Sequence, residues 1–301
     1  VFLDKSATLR SVVARVGEAA QQGCRLVCFG ESLVPGYPVW LSRTGGAKFD
    51  DADQKKMHGH YLQEAVVPEK GDLDGVCAAA ASSGIAVVLG IAERPEDRGG
   101  HSLFCSAVHI DADGKIASIH RKLMPTYEER LAWAAGDGAG LVAHKVGPFK
   151  VGSLNCWENW MPMARQALYA EGVDLHVMLW PGSERLTTEI TRFVALESRS
   201  YVVSASAVIR ENDLPTNLPM RDRIANPNEV LYDGGSCVAG PDGNWVVPPE
   251  TGSEKLIIAD LDPAVVLQER QNFDPAGHYS RPDVTRLTVN RKRLSTVEME
   301  D

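Results

Sequence analysis

The sequence predicts an α/β fold, one domain of mixed β-sheets covered by helices, on three observations. Strand-type and helix-type apolar patterns alternate along most of the chain. Two turn-centred pairs of strand patterns insert antiparallel hairpins into that alternation. No shift of composition marks a boundary anywhere between residues 1 and 301, so a single domain over that range is expected.

The first helix is expected after Ser6, read as its N-cap, and ends near Gly23, read as the C′ glycine. Leu9, Val12, Val13, Val16, Ala19 and Ala20 recur at helical spacing and form one apolar face. Arg25 to Phe29 reads as a short buried strand that delivers Glu31 just past its end. A polar, helix-compatible stretch runs from about Asp51 to Glu64. Ile85 to Ile91 is continuous and β-branched, as in a sheet covered on both faces. Leu103–Ile110 and Lys115–His120 flank the turn Asp111-Ala112-Asp113-Gly114 and form the first hairpin, whose second strand runs into Arg121-Lys122.

Phe149 to Leu154 predicts a strand that ends at Asn155-Cys156, followed by helical spacing of Met161, Ala164 and Leu168. Leu175 to Leu179 is another buried strand, then a helix from about Thr188 to Ser200 and a strand from Tyr201 to Ile209. Val230–Ala239 and Asn244–Val247 make the second hairpin around Gly240-Pro241-Asp242-Gly243, and Lys255 to Ala259 reads as a last strand.

Bulk properties narrow the partners. The net charge is −9 and no stretch concentrates Lys and Arg into a groove, which argues against nucleic acid and anionic membrane. Arg291-Lys292-Arg293 reads as a solvated surface run. Six cysteines fall at 24, 28, 77, 105, 156 and 237 without a C-x-x-C pair. They read as buried free thiols in a reducing compartment, so a cytoplasmic location is expected, with no metal. No apolar run has the length of a membrane-spanning helix.

Functional side chains in α/β proteins collect past the carboxyl ends of strands. Three such ends carry reactive types: Glu31, Lys122 and Cys156. A Glu takes a proton, a thiol attacks an electrophilic carbon, and a Lys offsets the negative charge that develops. By spacing alone, a buried strand-end Cys is more often plain core and a Glu–Lys pair more often a structural ion pair. Gly136 to Gly140 has close glycines but no helix N-terminus after it, and reads as a loop rather than a phosphate cradle. His58 and His60 lack further ligands at metal spacing. His176 lies in an apolar run and reads as a satisfied core histidine rather than a partner of Cys156.

The local sequences carry more. Phe29-Gly30-Glu31, His120-Arg121-Lys122-Leu123-Met124-Pro125-Thr126 and Asn155-Cys156-Trp157-Glu158-Asn159 resemble the three signature segments of the nitrilase family, in the right order. Pro35-Gly36-Tyr37-Pro38, Glu129-Arg130 with Gly136-Asp137-Gly138, Trp180-Pro181-Gly182 and Gly277 to Pro282 are similar to further nitrilase segments. The resemblance implies a four-layer αββα sandwich of two mixed sheets flanked by helices. It implies Cys156 as nucleophile, Glu31 as general base, Lys122 as stabiliser of the tetrahedral intermediate and Glu129 as a second active-site glutamate. Tyr37, Trp133 and Trp157 match positions that wall the substrate pocket.

The Cys-Trp-Glu-Asn run resembles nitrilases more than the amidase, carbamoylase or β-ureidopropionase branches. The implied reaction takes an organic nitrile to its acid and ammonia through a thioimidate and a thioester, with no cofactor. An amide hydrolase in the same fold and a non-catalytic binding or assembly homologue are the alternatives. The resemblance also implies a homodimer, often extended into spirals, with His278 in a structural or subunit-contact role. It further implies a first core strand before Val1. Gly30 stands where many relatives have proline, and Ala134-Ala135 replace a glycine-containing pair.

Overall fold

The computed structural model describes residues 1–297. Helix α1 (Lys5–Gln21) is capped not by Ser6 but by Asp4, whose carboxylate accepts from the Ala7 N–H, and Gly23 beyond its end is left-handed (φ 79°) as expected. Strand β1 (Leu26–Cys28) follows, then helices α2 (Trp40–Thr44), α3 (Ala52–Glu64) and α4 (Asp74–Ser83). The sequence reading passed over α2 and α4. In α4 a run of alanines hides the periodicity, and only Val76 and Ala80 are buried.

Strands β2 (Ala86–Glu93), β3 (Phe104–Ile110) and β4 (Ile116–Arg121) complete a four-stranded sheet in the order β1-β2-β3-β4. Its β1–β2 pair is parallel and the other two pairs are antiparallel, so β1, β2 and β4 all run the same way.

The second sheet begins with β5 (His144–Val146) and β6 (Phe149–Asn155), followed by helix α5 (Pro162–Ala170), strand β7 (Leu175–Trp180), helix α6 (Glu184–Ser198) and strand β8 (Tyr201–Ser206). Strand β9 (Val208–Arg210), helix α7 (Arg221–Ile224), strands β10 (Val230–Ala239) and β11 (Trp245–Thr251) and helix α8 (Pro263–Glu269) finish the chain's regular elements. The order is β11-β10-β8-β7-β6-β5, with β6, β7 and β8 parallel and β9 on β10.

The expected strand Tyr201–Ile209 is broken at Ala207. β8 pairs with Cys237–Ala239 of β10, whereas β9 pairs with Val230–Asp233, and left-handed Gly234 and Gly235 bend β10 between them.

Alternation along the strands builds the layers. Val87, Leu89 and Ile91 of β2 pack with Val12 and Val16 of α1 and Val76 and Ala80 of α4. Val88 points the other way and joins Ala107, Val151, Leu175, Val177 and Leu179, so the two sheets face each other. On the far side, Leu154 packs with Ala164 and Leu168 of α5, and Met178 and Trp180 pack with Ile190 and Val194 of α6. This is the four-layer αββα sandwich of two mixed sheets. Among the described residues no helix is long and apolar enough to cross a membrane.

One expected strand does not form. Lys255 to Ala259 has no regular secondary structure and pairs with no strand among the described residues. It lines a cavity of about 910 Å³ whose other walls include Leu26–Phe29 of the β1 edge, part of α1 and Val203–Ile209. Its apolar pattern suits a strand, but no partner strand lies alongside it to complete a ladder.

Candidate active site

The two sheets bring the ends of β1, β4 and β6 together. Glu31 follows β1, and its N–H donates to the Trp180 carbonyl at the end of β7 at 3.0 Å, joining the sheets. The approach explains Gly30: a Cβ there would stand 2.8 Å from the Trp180 oxygen and 3.1 Å from the Ala207 nitrogen. Lys122 follows β4, its N–H donating to the Cys105 carbonyl and its carbonyl accepting from Gly136 at 2.8 Å each. The Gly136–Gly140 loop thus braces the lysine segment.

Lys122 is fully buried, and its ammonium donates to Glu31 Oε1 at 2.8 Å and to Glu129 Oε2 at 2.6 Å. An ammonium has three N–H donors, so one remains for a reacting atom. Glu129 sits in the 3₁₀ turn Tyr127–Leu131, and its Oε2 also accepts from the Thr126 N–H at 2.7 Å. The other oxygen, Oε1, accepts from the Tyr37 hydroxyl at 2.8 Å. Both oxygens of Glu129 are therefore engaged in holding neighbours.

Glu31 differs. Its Oε1 takes Lys122 and the Cys105 thiol (3.4 Å), while Oε2 is buried without any partner. A buried carboxylate oxygen with a free lone pair is costly structurally and is what a general base requires.

Cys156 opens the turn Cys156–Trp160 directly after β6, with φ at 47°. A left-handed backbone is unfavourable for a non-glycine residue and turns the side chain out of the strand line. Asn159 holds the turn, its Nδ2 donating to the Cys156 carbonyl at 2.9 Å and the Leu154 carbonyl at 3.2 Å, and its Oδ1 pairing with His176 Nε2 at 2.8 Å. His176 is thus a core histidine bonded through Nε2 only, its Nδ1 being buried without a partner, which corrects the expectation of a fully satisfied ring. Burial pushes its pKa down to about 3, leaving it neutral. The Cys156 sulfur and carboxylate oxygens of Glu31 and Glu129 all lie within 4.8 Å of one another. Lys122 offsets one of the two carboxylate charges from within, bonding to both Glu31 and Glu129.

The dry setting fixes the protonation states. Burial pushes Glu31 up to about 7, helped by Glu129 and opposed by Lys122, so it is poised to take and return a proton near neutrality. Burial and the charge of Glu31 hold the Cys156 thiol well above its ordinary range, despite Lys122. The thiol is therefore protonated at rest. For Lys122 burial works toward neutrality, but Glu31, Cys156 and Glu129 outweigh it and hold it charged.

Tyr37 and Trp133 meet edge-to-face with ring centres 5.7 Å apart, and Trp133 lies 5.8 Å from the Lys122 ammonium. Tyr232 of β10 packs on the other side of Tyr37, also at 5.7 Å. Sequence reasoning missed Tyr232, since no local pattern links β10 to the Tyr37 loop. It also missed Cys105, and Glu158 with His120. Glu158 lay inside a recognised segment, two residues past Cys156, and its place in that segment was the available signal. Trp157 is not brought together with Tyr37 and Trp133. Its ring is 46% exposed and stacks on Trp160, which stacks on Phe193 of α6.

The chain matches the family model for carbon-nitrogen hydrolases over residues 1–271. It is 32% identical to an aliphatic nitrilase of Sinorhizobium fredii (strain HH103), covering 98% of this chain and 94% of that one. It is also 32% identical to a bifunctional nitrilase/nitrile hydratase of Nicotiana tabacum, covering 99% and 85%. The crystal structure of a carbon-nitrogen hydrolase from Helicobacter pylori G27 superimposes with a TM-score of 0.69 over 93% of this chain and 92% of that one, at 18% identity. That last likeness concerns the fold.

Proposed function

The chain belongs to the carbon-nitrogen hydrolase family, and from that premise we propose that it is a nitrilase, converting an organic nitrile to its carboxylic acid and ammonia. The observation that carries the reading is the buried cluster of Cys156 and Glu31 around the Lys122 ammonium, with Glu31 Oε2 unpartnered. The Cys156-Trp157-Glu158-Asn159 run and the nitrilase names of relatives covering nearly the whole chain favour a nitrile over an amide.

In this mechanism Glu31 takes the thiol proton as the Cys156 sulfur bonds to the nitrile carbon. The free N–H of Lys122 stabilises charge on the nitrile nitrogen, which takes the thiol-derived proton back from Glu31 to give a thioimidate and leave Glu31 ionised. Glu31 then removes a proton from water as its oxygen adds to the same carbon. Glu31 returns that proton to nitrogen, then carries the hydroxyl proton of the adduct to the same nitrogen as the C=O bond forms and the C–N bond breaks, releasing ammonia and leaving a thioester. A second water, activated the same way, releases the acid and restores the thiol. Cleavage of C–S before C–N instead releases the amide.

Glu129 and Tyr37 keep Lys122 in place. Tyr37, Trp133 and Tyr232 give the pocket aromatic walls, which suits an aliphatic or aryl nitrile of moderate size. No step draws on a cofactor.

The same proposal includes a homodimer or larger homo-oligomer in the cytoplasm. Trp157, Trp160, Phe193, Met163 and Leu196 are 41–65% exposed along the α5–α6 side. An apolar stripe of this kind is typical of a self-complementary contact. The six cysteines are free thiols, in keeping with a reducing compartment.

The test is ammonia release from matched nitriles and amides, with Cys156→Ala as control. Release from nitriles, lost in the variant, supports the proposal. Release from amides alone moves the same residues to amide hydrolysis. Release from neither leaves the non-catalytic binding or assembly homologue.

A further inference from the structure

Glu158 is a buried carboxylate that the reaction above does not use. One of its oxygens accepts from the Leu123 N–H at 2.8 Å and the other from the Asn155 N–H at 3.0 Å. His120 Nε2 lies 2.9–3.0 Å from both. His120 Nδ1 is buried without a partner among the described residues, so the ring's hydrogen bonding runs through Nε2 to Glu158. Burial opposes ionisation of Glu158, but His120 and the two backbone N–H groups outweigh it and keep the carboxylate below its ordinary range.

The two backbone donors matter for where they sit. Leu123 directly follows Lys122, and Asn155 directly precedes Cys156. Strands β4 and β6, which deliver those two residues, belong to different sheets, so no ladder of hydrogen bonds fixes one strand end against the other. Glu31 has its own tie across the sheets, through the Trp180 carbonyl. His109–Ser153 and Ser118–His144 hydrogen bonds join the sheets further back along the strands, at 2.7 Å each, and at the strand ends that carry Lys122 and Cys156 the tie runs through Glu158.

We propose that Glu158 is a positioning residue whose carboxylate sets the separation of Lys122 and Cys156 by anchoring both segments to one point. The proposal rests on the reading of those two residues as reacting groups. Misplacement of reacting groups by about 1 Å costs on the order of 100-fold in rate.

Two variants test it. Glu158→Asp keeps the charge but withdraws the carboxylate by one methylene. Glu158→Gln keeps the length but puts a donor against one of the two N–H groups. Each is compared with the unaltered protein in kcat and KM for nitrile hydrolysis, thermal stability, and the pH midpoint of Cys156 alkylation by iodoacetamide, followed by mass spectrometry of the Cys156 peptide. The charged groups facing that sulfur are Glu31, Glu129 and Lys122, and Tyr37 and Tyr232 lie beyond them.

In both variants kcat falls about 10- to 100-fold with KM changed less than about threefold. The alkylation midpoint moves up, because the thiolate loses part of its Lys122 stabilisation. Loss of a nearby negative charge alone would move the midpoint down in Glu158→Gln and leave it in place in Glu158→Asp, and that overturns the proposal. A fall in melting temperature with kcat and midpoint unchanged also overturns it. Should Glu158→Gln fail to fold, Glu158→Asp decides. If the unaltered protein hydrolyses neither nitriles nor amides, the functional reading fails, while the alkylation midpoints still decide this one.

Discussion

Replacing Glu31 by Gln is expected to make the protein more stable while removing its activity. Glu31 is fully buried with Oε2 unpartnered, and burial raises it from an ordinary 4.5 to about 7. Between those values the unfolded chain has lost the proton that the folded protein keeps, so stability falls as pH rises through that window. At about 1.36 kcal/mol per pH unit, the loss reaches about 3 kcal/mol by pH 8. Gln has the same shape, its carbonyl still accepts from Lys122, and it carries no charge to desolvate.

The variant should therefore match the unaltered protein at pH 4.5 and exceed it by about 1–3 kcal/mol at pH 8, the lower figure allowing for the lost attraction to Lys122. That corresponds to a melting temperature higher by roughly 2–6 °C. Turnover should fall by about 10²–10⁴-fold with removal of the base. Thermal denaturation at both pH values and ammonia release provide the assay. A variant less stable than its parent at pH 8, with the same gap at pH 4.5, refutes the electrostatic reasoning. Retention of a tenth or more of kcat refutes Glu31 as the base.

Four further substitutions follow from the geometry. Cys156→Gly, which removes the side chain from a φ of 47°, should abolish turnover yet be more stable than Cys156→Ala by about 1 kcal/mol in denaturant titration. Lys122→Met leaves two buried carboxylates without their cation and should cost about 3–5 kcal/mol at pH 8. That deficit should shrink at pH 5, where Glu31 is protonated; an equal deficit at both values speaks against the charge argument. Tyr37→Phe removes a hydrogen bond to the Glu129 carboxylate, so it should destabilise by about 1.5–3 kcal/mol and lower kcat. Trp160→Glu sets a charge in the exposed aromatic stripe and should shift sedimentation toward the monomer if that stripe is the self-association surface.

Legibility in the sequence followed the range of the forces involved. Strands with continuous apolar runs, such as Ala86–Glu93 and Leu175–Trp180, were readable because burial on both faces leaves few polar positions, Glu93 and His176 in these two. The alanine-rich α4 was not, since a methyl group gives little contrast between faces. Lys255–Ala259 was misread for a related reason: its residues suit a strand, but a strand exists only with a partner. Trp157, grouped by its neighbours with the pocket walls, stacks instead on Trp160 at the surface, because a 3₁₀ turn sends successive side chains in different directions.

The sequence by itself determined the α/β class, the strand ends and the chemical types found there: a carboxylate at 31, an ammonium at 122 and a thiol at 156. Only the tertiary structure decided what those groups do to one another. Glu31 and Lys122 are 91 residues apart and meet at 2.8 Å with both side chains fully buried. That contact, and the absence of any partner at Glu31 Oε2, turns an ordinary carboxylate into one that titrates near neutrality. Local patterning depends on neighbours along the chain, whereas desolvation and pairing depend on neighbours in space, and the proton chemistry of this site is made by the latter.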